Sequence, residues 1–405
     1  MNNLEEEKRN LDEMIDADYA PEVSIVCRYR NAFTFGAPAE NAEYKQILQK
    51  TSLREGARIF SLVTYHGVDI HIMDESSLMH TGTLKSIDGC ISAAKCRLKG
   101  YKRIVFESGG NTGTALTEYG QRAGLETYCV VPEENLSLLD SRTFNSGKAH
   151  LISVAETGLV KRSASLLGGL NGIRHIPEVG WRYEASRFRG CFVLEHSTRY
   201  GGYDWLAQTI SAAFGPIGIY SVLSGFNSPA ERLPRFLGIQ QEANCPMYTA
   251  WKSRNHELDP SLPQPGAAGD LLTRVMYDVT PYTYGTYEDL KRLLTATQGD
   301  LTTINHSEFF NFLDHGLGGK GVLDLLNDNG IQIGTRNGEV IEKTGLIAIA
   351  GVLKEISRGK IAEGSRVLCC LTSGARTGDG KAKAEYRVSD PERLVSDCYR
   401  MIYGG

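Results

Sequence analysis

Four short segments carry residues whose types and spacing suit covalent and anion chemistry. The first is His80-Thr81-Gly82-Thr83-Leu84-Lys85-Ser86, followed by a helix-like run. A lysine placed just after a Thr-Gly-Thr turn, at a helix start, sits where the helix dipole disfavours its cation. A lysine made neutral is a nucleophile able to form a Schiff base. The second is Glu107-Ser108-Gly109-Gly110-Asn111-Thr112-Gly113-Thr114, which follows the apolar run Arg103–Phe106 and opens an amphipathic run. Strand, small-residue loop and helix in that order point backbone N–H groups at one spot, which suits a carboxylate or a phosphate. A Gly-rich turn with no ligand is the alternative reading of that loop alone. The third, Ser224-Gly225-Phe226-Asn227-Ser228-Pro229, reads as a second anion cradle between an apolar strand and a helix that starts at the proline. The fourth is the buried-strand run Val367–Leu371, which delivers Thr372-Ser373-Gly374 at its carboxyl end.

Taken together, these segments resemble the pyridoxal-phosphate enzymes of the tryptophan-synthase-β class (fold type II), and most closely the threonine-synthase group. Arg28-Tyr29-Arg30 resembles that group's R-Y-R element, and Ser52-Leu53-Arg54-Glu55-Gly56 its opening motif. Thr81–Lys85 is similar to T-G-S-F-K, and Ser108–Gly113 to S-[SG]-G-N-T-[SG]. Pro246–Trp251 and Pro281–Gly285 resemble the archaeal cysteate synthases, which replace the phosphate of O-phosphoserine with sulfite. There are departures. Ser86 stands where threonine synthases usually carry Asp, the third segment lacks a run of glycines, and no Cys-x-x-Cys pair precedes Arg28.

The resemblance implies an α/β protein of two domains, each a parallel or mixed twisted sheet flanked by helices, with the active site in the cleft between them. Residues 91–198 would form a small domain, and residues 1–90 and 199–405 together a larger cofactor-binding one. It implies pyridoxal 5′-phosphate held by Lys85 as the catalytic residue. Asn111 would meet its 3-hydroxyl, Ser224, Gly225, Phe226, Asn227 and Ser228 its phosphate, and Thr372 (or Ser373, one register on) its pyridine nitrogen. Thr83, Ser108, Gly109, Gly110 and Thr112 would take the substrate, chiefly its carboxylate. Arg187 and Arg189 are candidates for an anionic leaving group or nucleophile, with a surface salt bridge as the alternative. Tyr248, Trp251, Tyr282 and Tyr284 form an aromatic set near the expected cleft, with Tyr248 and Tyr282 as candidates to bind substrate and a place in the core as the alternative. The implied reaction is β-replacement or elimination on an activated serine, through a Schiff base and an aminoacrylate, with a small nucleophile as co-substrate. A threonine-synthase-like γ-elimination and β-hydration is the first rival, and a catalytically silent amino-acid-binding paralogue the second. A homodimer is the family expectation.

Composition agrees with that class. The 405 residues suffice for two cores, and 23% charged with 41% hydrophobic residues is ordinary for a globular protein. A formal net charge of −4 argues against a general nucleic-acid binder. No apolar run reaches the roughly 20 residues of a membrane span, and the acidic, polar stretch Met1–Asp18 is unlike a signal peptide. The nine cysteines lack metal-ligand spacing and read as buried thiols of a reducing cytoplasm, and the scattered His150, His175 and His196 suggest no metal.

Coarse periodicity predicts the elements that would position these groups. Strands are expected at Arg103–Phe106, Thr127–Val131, His150–Val154, Gly218–Leu223, Leu237–Gln241 and Arg366–Leu371. Helices are expected at Leu4–Ile15, Thr114–Ala123, Ser137–Ser146, Leu159–Leu167, Asp204–Ala213, Ala230–Phe236 and Ile341–Ser357. The alternation implies βαβ units and parallel sheets.

Overall fold

The computed structural model describes residues 11–108, 110–170, 172–176, 179–226, 232–258, 270–277, 281–314, 317, 319–375, 382–394 and 396. Its strands, in chain order, are Arg58–Tyr65 (β1), Val68–Asp74 (β2), Arg103–Glu107 (β3), Glu126–Pro132 (β4), Ala149–Val154 (β5), Ile173–His175 (β6), Trp205–Thr209 (β7), Arg235–Gln241 (β8), Asp300–Ile304 (β9), Thr335–Arg336 (β10), Glu339–Val340 (β11), Arg366–Leu371 (β12) and Tyr386–Val388 (β13). Six of them form one sheet in the order β1-β2-β12-β7-β8-β9, parallel except for the β1–β2 hairpin at its edge. Five form a second, wholly parallel sheet in the order β13-β5-β4-β3-β6.

Side-chain alternation along each strand distributes the apolar residues between the faces. Ile104 and Phe106 of β3 share one core with Leu206, Phe236 and Leu368 of the large sheet. Val105, between them, belongs to a core on the opposite face with Tyr128, Val130 and Ile152. Trp205 and Ala207 likewise turn away from Leu206 and pack with Ile347 and Leu353 of the Thr344–Ser357 helix. The 22-residue Val179–Tyr200 helix packs along the Phe214–Phe226 helix. β3 to β6 all fall within residues 91–198, and β13 adds to their sheet a strand from near the end of the chain.

Strands expected around residues 103, 127, 150, 237 and 366 are present, as are helices Asn111–Arg122, Val160–Gly168 and Thr344–Ser357. Between residues 204 and 236 the expected order is reversed. Asp204–Ala213, read as helix, contains β7, whose five residues are all buried. A central parallel strand covered on both faces shows no alternation, so its short sequence has no period to read. Gly218–Leu223, read as strand, lies inside the 13-residue Phe214–Phe226 helix. That helix is apolar nearly all round because it is buried on several sides, and its length rather than its period separates it from a strand. Residues 232–234 are not helical and Arg235 begins β8, with Pro234 unable to donate a helix hydrogen bond. Ser137–Ser146 forms two short 3-10 turns, Glu133–Leu138 and Ser141–Phe144, because the Asp140 side chain accepts from Arg142 N and starts a new turn there. Of the Leu4–Ile15 segment, Leu11–Met14 is helical and residues 4–10 lie outside the described residues.

Candidate active site

The carboxyl ends of strands from both sheets open on one cavity of about 430 Å³. It is reached by the turns after β3 (Ser108 to Thr112), β7 (Ile210 to Gly215) and β12 (Thr372, Ser373), and by Lys85. Such a position, outside the strand carboxyl ends, is where parallel sheets present ligand sites.

Lys85 is the first residue of the Lys85–Leu98 helix. Its loop is tied to the end of β12: Leu84 N donates to Thr372 O (2.8 Å), and Thr83 bridges Ser373. Ser86 holds the same loop from the other side, its Oγ accepting from Thr81 N at 3.0 Å. That bond accounts locally for a serine after the lysine. The Lys85 Nζ lies 2.6 Å from Asp88 Oδ2. Burial holds the Lys85 ammonium below the usual lysine range, with Arg182 adding to this and Asp88 opposing it.

The loop after β3 is braced from within. Ser108 Oγ accepts from Gly110 N (3.0 Å) and Gly113 N (2.7 Å), so its lone pairs hold the loop rather than a ligand. Gly110 adopts φ +151°, a region open mainly to glycine, and serves as N-cap of the Asn111–Arg122 helix. Asn111 Nδ2 donates to Glu342 Oε2 at 2.6 Å, and the buried Glu342 is fixed in turn by Thr344 N at 2.8 Å. Thr112 faces the cavity, and Gly109 lies outside the described residues. Thr372 and Ser373 both line the cavity, and Ser373 Oγ also accepts from Gly345 N at 3.1 Å, which ties it to the start of the Thr344–Ser357 helix while leaving its O–H to donate.

The expected phosphate loop requires correction. Ser224, Gly225 and Phe226 form the last turn of the Phe214–Phe226 helix and do not line the cavity; Asn227 and Ser228 lie outside the described residues. The opposite end of that helix, about 18 Å away at 1.5 Å per residue, is the one that meets the cavity. There Ser211, Ala212, Ala213, Phe214 and Gly215 form the small-residue turn. Helix-start amides have no intrahelical acceptor and favour an anion. Ala213 has φ +58°, a left-handed conformation that a non-glycine residue adopts at a cost. Gly215 leaves no room for a side chain: a Cβ there would overlap Gln208 Nε2 and lie 2.6 Å from Arg189 Nη1. Arg189 is fully buried, its other nitrogens held by Glu75 (2.5 and 2.6 Å) and Gln208 (2.8 Å), while Nη1 has no hydrogen-bond partner. A buried guanidinium edge with an orphaned N–H, behind a helix start that only glycine fits, suits a bound phosphate.

The remaining anion and aromatic candidates redistribute. Arg187 is half-buried with its guanidinium 4.1 Å from the Phe33 ring and is not part of the cavity; desolvation lowers its tendency to stay charged. Arg182, on the same helix, lines the cavity instead, with Lys161 and Arg274; Arg274 is paired to Glu134 at 2.5 Å. Tyr248 packs at the core with its N–H on Gln240 Oε1 (2.9 Å), Trp251 Nε1 donates to Asp300 (2.8 Å), and Tyr282 is exposed. Of the aromatic set only Tyr284 reaches the cavity, 5.7 Å from the Phe214 ring and under Lys161 Nζ at 4.9 Å. Asp88, Arg182 and Ser211–Gly215 thus line the cavity, and Glu342 braces Asn111 from behind it; sequence reasoning missed all of them. One signal was present: Pro216 follows Ser211–Gly215 as Pro229 follows Ser224–Ser228, and the rule that proline favours a first helical turn applied equally to both. Among the described residues no group of three or more His, Cys, Asp or Glu could hold a metal ion, and no helix is long and apolar enough to cross a membrane.

Substituting Ser224 by Ala should leave affinity for pyridoxal phosphate unchanged, whereas Ser211→Ala should weaken it about tenfold. One hydrogen bond to a charged group is worth roughly 1.5 kcal/mol or more. Fluorescence titration of cofactor-free protein measures both, and a loss at Ser224 alone would return the phosphate to the far end of the helix.

No family model matches the chain. It is similar to the cysteate synthase of Methanosarcina barkeri, 24% identical over 341 residues that cover 82% of this chain and 77% of that one. It is also similar to the threonine synthase of Halalkalibacterium halodurans, 23% identical over 336 residues covering 78% and 80%. Among solved structures, a pyridoxal 5′-phosphate-dependent aspartate racemase superposes with a TM-score of 0.57 at 17% identity, covering 84% of this chain and 97% of its own. The fold is thus that of the fold type II enzymes, and the sequence is similar to the cysteate and threonine synthases within that group.

Proposed function

We propose that the chain is a pyridoxal-phosphate-dependent enzyme of β-replacement or elimination, acting on an activated serine in the manner of the cysteate synthases. The observation that carries this reading is the placement of Lys85. A half-buried lysine with a lowered pKa faces a cavity that has a glycine-demanding helix start on one side and a strand-end hydroxyl on the other. Bound pyridoxal phosphate supplies an electron sink that acidifies the substrate's α-carbon.

The chain's own groups do the rest. Lys85 holds the cofactor covalently and, once displaced by the substrate amine, takes and returns the α-proton. The Ser211–Gly215 turn, backed by Arg189, holds the phosphate. Glu342 fixes the Asn111 amide, which aims it at the cofactor's 3-hydroxyl. Thr372, or Ser373 beside it, would donate its hydroxyl to the pyridine nitrogen; Ser373 Oγ accepts from Gly345 N and keeps its own O–H to donate. A neutral hydroxyl there does not force that nitrogen to be protonated, which favours elimination over transamination. Thr83, Thr112 and the helix-start amides at Asn111 and Thr112 would receive the substrate carboxylate. Lys161 and Arg182 supply positive charge for an anionic leaving group or an anionic nucleophile. A homodimer in the cytoplasm completes the reading, and its mass in solution tests the assembly.

The similarity to threonine synthase supports a second reading, γ-elimination with β-hydration, on the same cofactor groups. Incubating the holoenzyme with O-phosphoserine, O-acetylserine and O-phosphohomoserine, with and without sulfite, separates the two through released phosphate or acetate and the amino-acid product. Turnover of the homoserine ester alone would transfer the assignment to threonine-synthase chemistry, and release from none of the three would favour a silent binding paralogue.

Thr112→Val should keep the shape of the loop and the cofactor's colour while raising the substrate concentration for half-maximal absorbance change about tenfold, the worth of one hydrogen bond to a carboxylate. A wild-type midpoint would leave the carboxylate to the backbone of the loop.

A further inference from the structure

Asp88 touches the reacting atom, yet neither the resemblance nor the proposed roles assign it one. It lies one turn into the Lys85–Leu98 helix, 4% exposed, with Oδ2 2.6 Å from Lys85 Nζ, and it lines the same cavity. An i, i+3 spacing on a helix puts the two side chains on one face, so the contact follows from the backbone alone. The carboxylate stands in a cluster of buried charge. Glu75, following β2, pairs with Arg189 of the Val179–Tyr200 helix, and Arg182 of that helix lines the cavity and acts on the lysine through its positive charge. Glu107, Glu134, Lys161 and Arg274 complete the charges on the cavity wall.

We infer that Asp88 is the positioning residue for Lys85: its carboxylate holds the Nζ in place and stabilises its ammonium form while the lysine is free of the cofactor. The inference rests on the role proposed for Lys85. Two physical effects oppose each other at that nitrogen. Burial and the neighbouring guanidinium of Arg182 favour the neutral amine, and the Asp88 carboxylate favours the ammonium. Before cofactor capture the pairing is a brake, because only the neutral amine adds to the aldehyde carbon, with loss of water. Once Lys85 is free beside bound substrate, the same contact holds its side chain along the helix face as Nζ takes the α-proton, and stabilises the ammonium so formed until the proton is returned.

The sign of the effect is fixed by charge. Asp88→Asn removes the negative charge and retains the shape, so the ammonium loses its stabilisation and the amine becomes neutral at lower pH. Full-length protein freed of cofactor is mixed with pyridoxal phosphate across a pH series, trapped with borohydride, and the label on Lys85 is quantified by mass spectrometry. Asp88→Asn should move the capture profile to lower pH, with capture about tenfold faster below the wild-type midpoint, the effect of roughly one pH unit. Asp88→Glu, which keeps the charge, should return the profile toward wild type. Should Asp88→Asn not fold, Asp88→Ser decides in the same assay. A profile identical to wild type in the folded variant overturns the role of Asp88. A wild-type protein in which Lys85 takes no label overturns instead the proposed function on which it rests.

Discussion

Lys85→Ala yields a folded protein that no longer carries the visible band of covalently bound pyridoxal phosphate. The residue is the first of its helix and contributes no core packing; its Nζ interacts with Asp88 and the cavity. Loss of the side chain should therefore leave the far-ultraviolet circular dichroism unchanged and abolish the absorbance. Borohydride should then fix no label to the chain. Turnover should fall by several orders of magnitude, because the covalent anchor and the proton carrier are lost in one substitution. A variant that stays yellow and takes borohydride label at another lysine would displace Lys85 from the centre of the site.

Gly215→Val should weaken cofactor affinity by about a hundredfold or more. The first branched carbon would enter space held by Gln208 Nε2 and Arg189 Nη1. Arg189 cannot swing aside cheaply, because two of its nitrogens are fixed on the buried Glu75. Overpacking of this kind costs about 1–3 kcal/mol. Displacing the helix start from the phosphate forfeits hydrogen bonds worth roughly 1.5–3 kcal/mol each. Titration of cofactor-free protein with pyridoxal phosphate, alongside thermal denaturation, separates a lost cradle from a lost fold. Wild-type affinity in the variant would remove the Ser211–Gly215 turn from the phosphate.

The chemistry-bearing side chains next to a helix start were the legible part of the site. Lys85, Asn111 and Thr112 each stand within a short motif whose turn chemistry is local, and each lines the cavity where that motif placed it. So do Thr83 and Thr372, which the Leu84 N to Thr372 O bond brings together. The parallel α/β character was legible for the same reason: runs such as Arg103–Phe106 and Arg366–Leu371 combine length, β-branching and flanking turns that few other structures satisfy.

Burial from all sides erased the remainder. Trp205–Thr209 is buried throughout and too short to show a period, and Phe214–Phe226 is nearly uniformly apolar, so neither shows the polar face from which period is read, and strand and helix were exchanged. That exchange carried the proposed phosphate cradle from one end of a helix to the other. The partners of each charge were likewise invisible in the chain order. Arg189 meets Glu75 across 114 residues, and Asn111 meets Glu342 across 231. Which arginine faces the cavity was decided by helix rotation. Arg182 and Arg187 are five residues apart, about 140° around the axis at 100° per residue, so one reaches the cavity and the other stacks on Phe33. Local motifs thus determined which residues are equipped for the chemistry. Packing between the two sheets, which only the tertiary structure contains, decided which of them share one cavity and with what charge beside them.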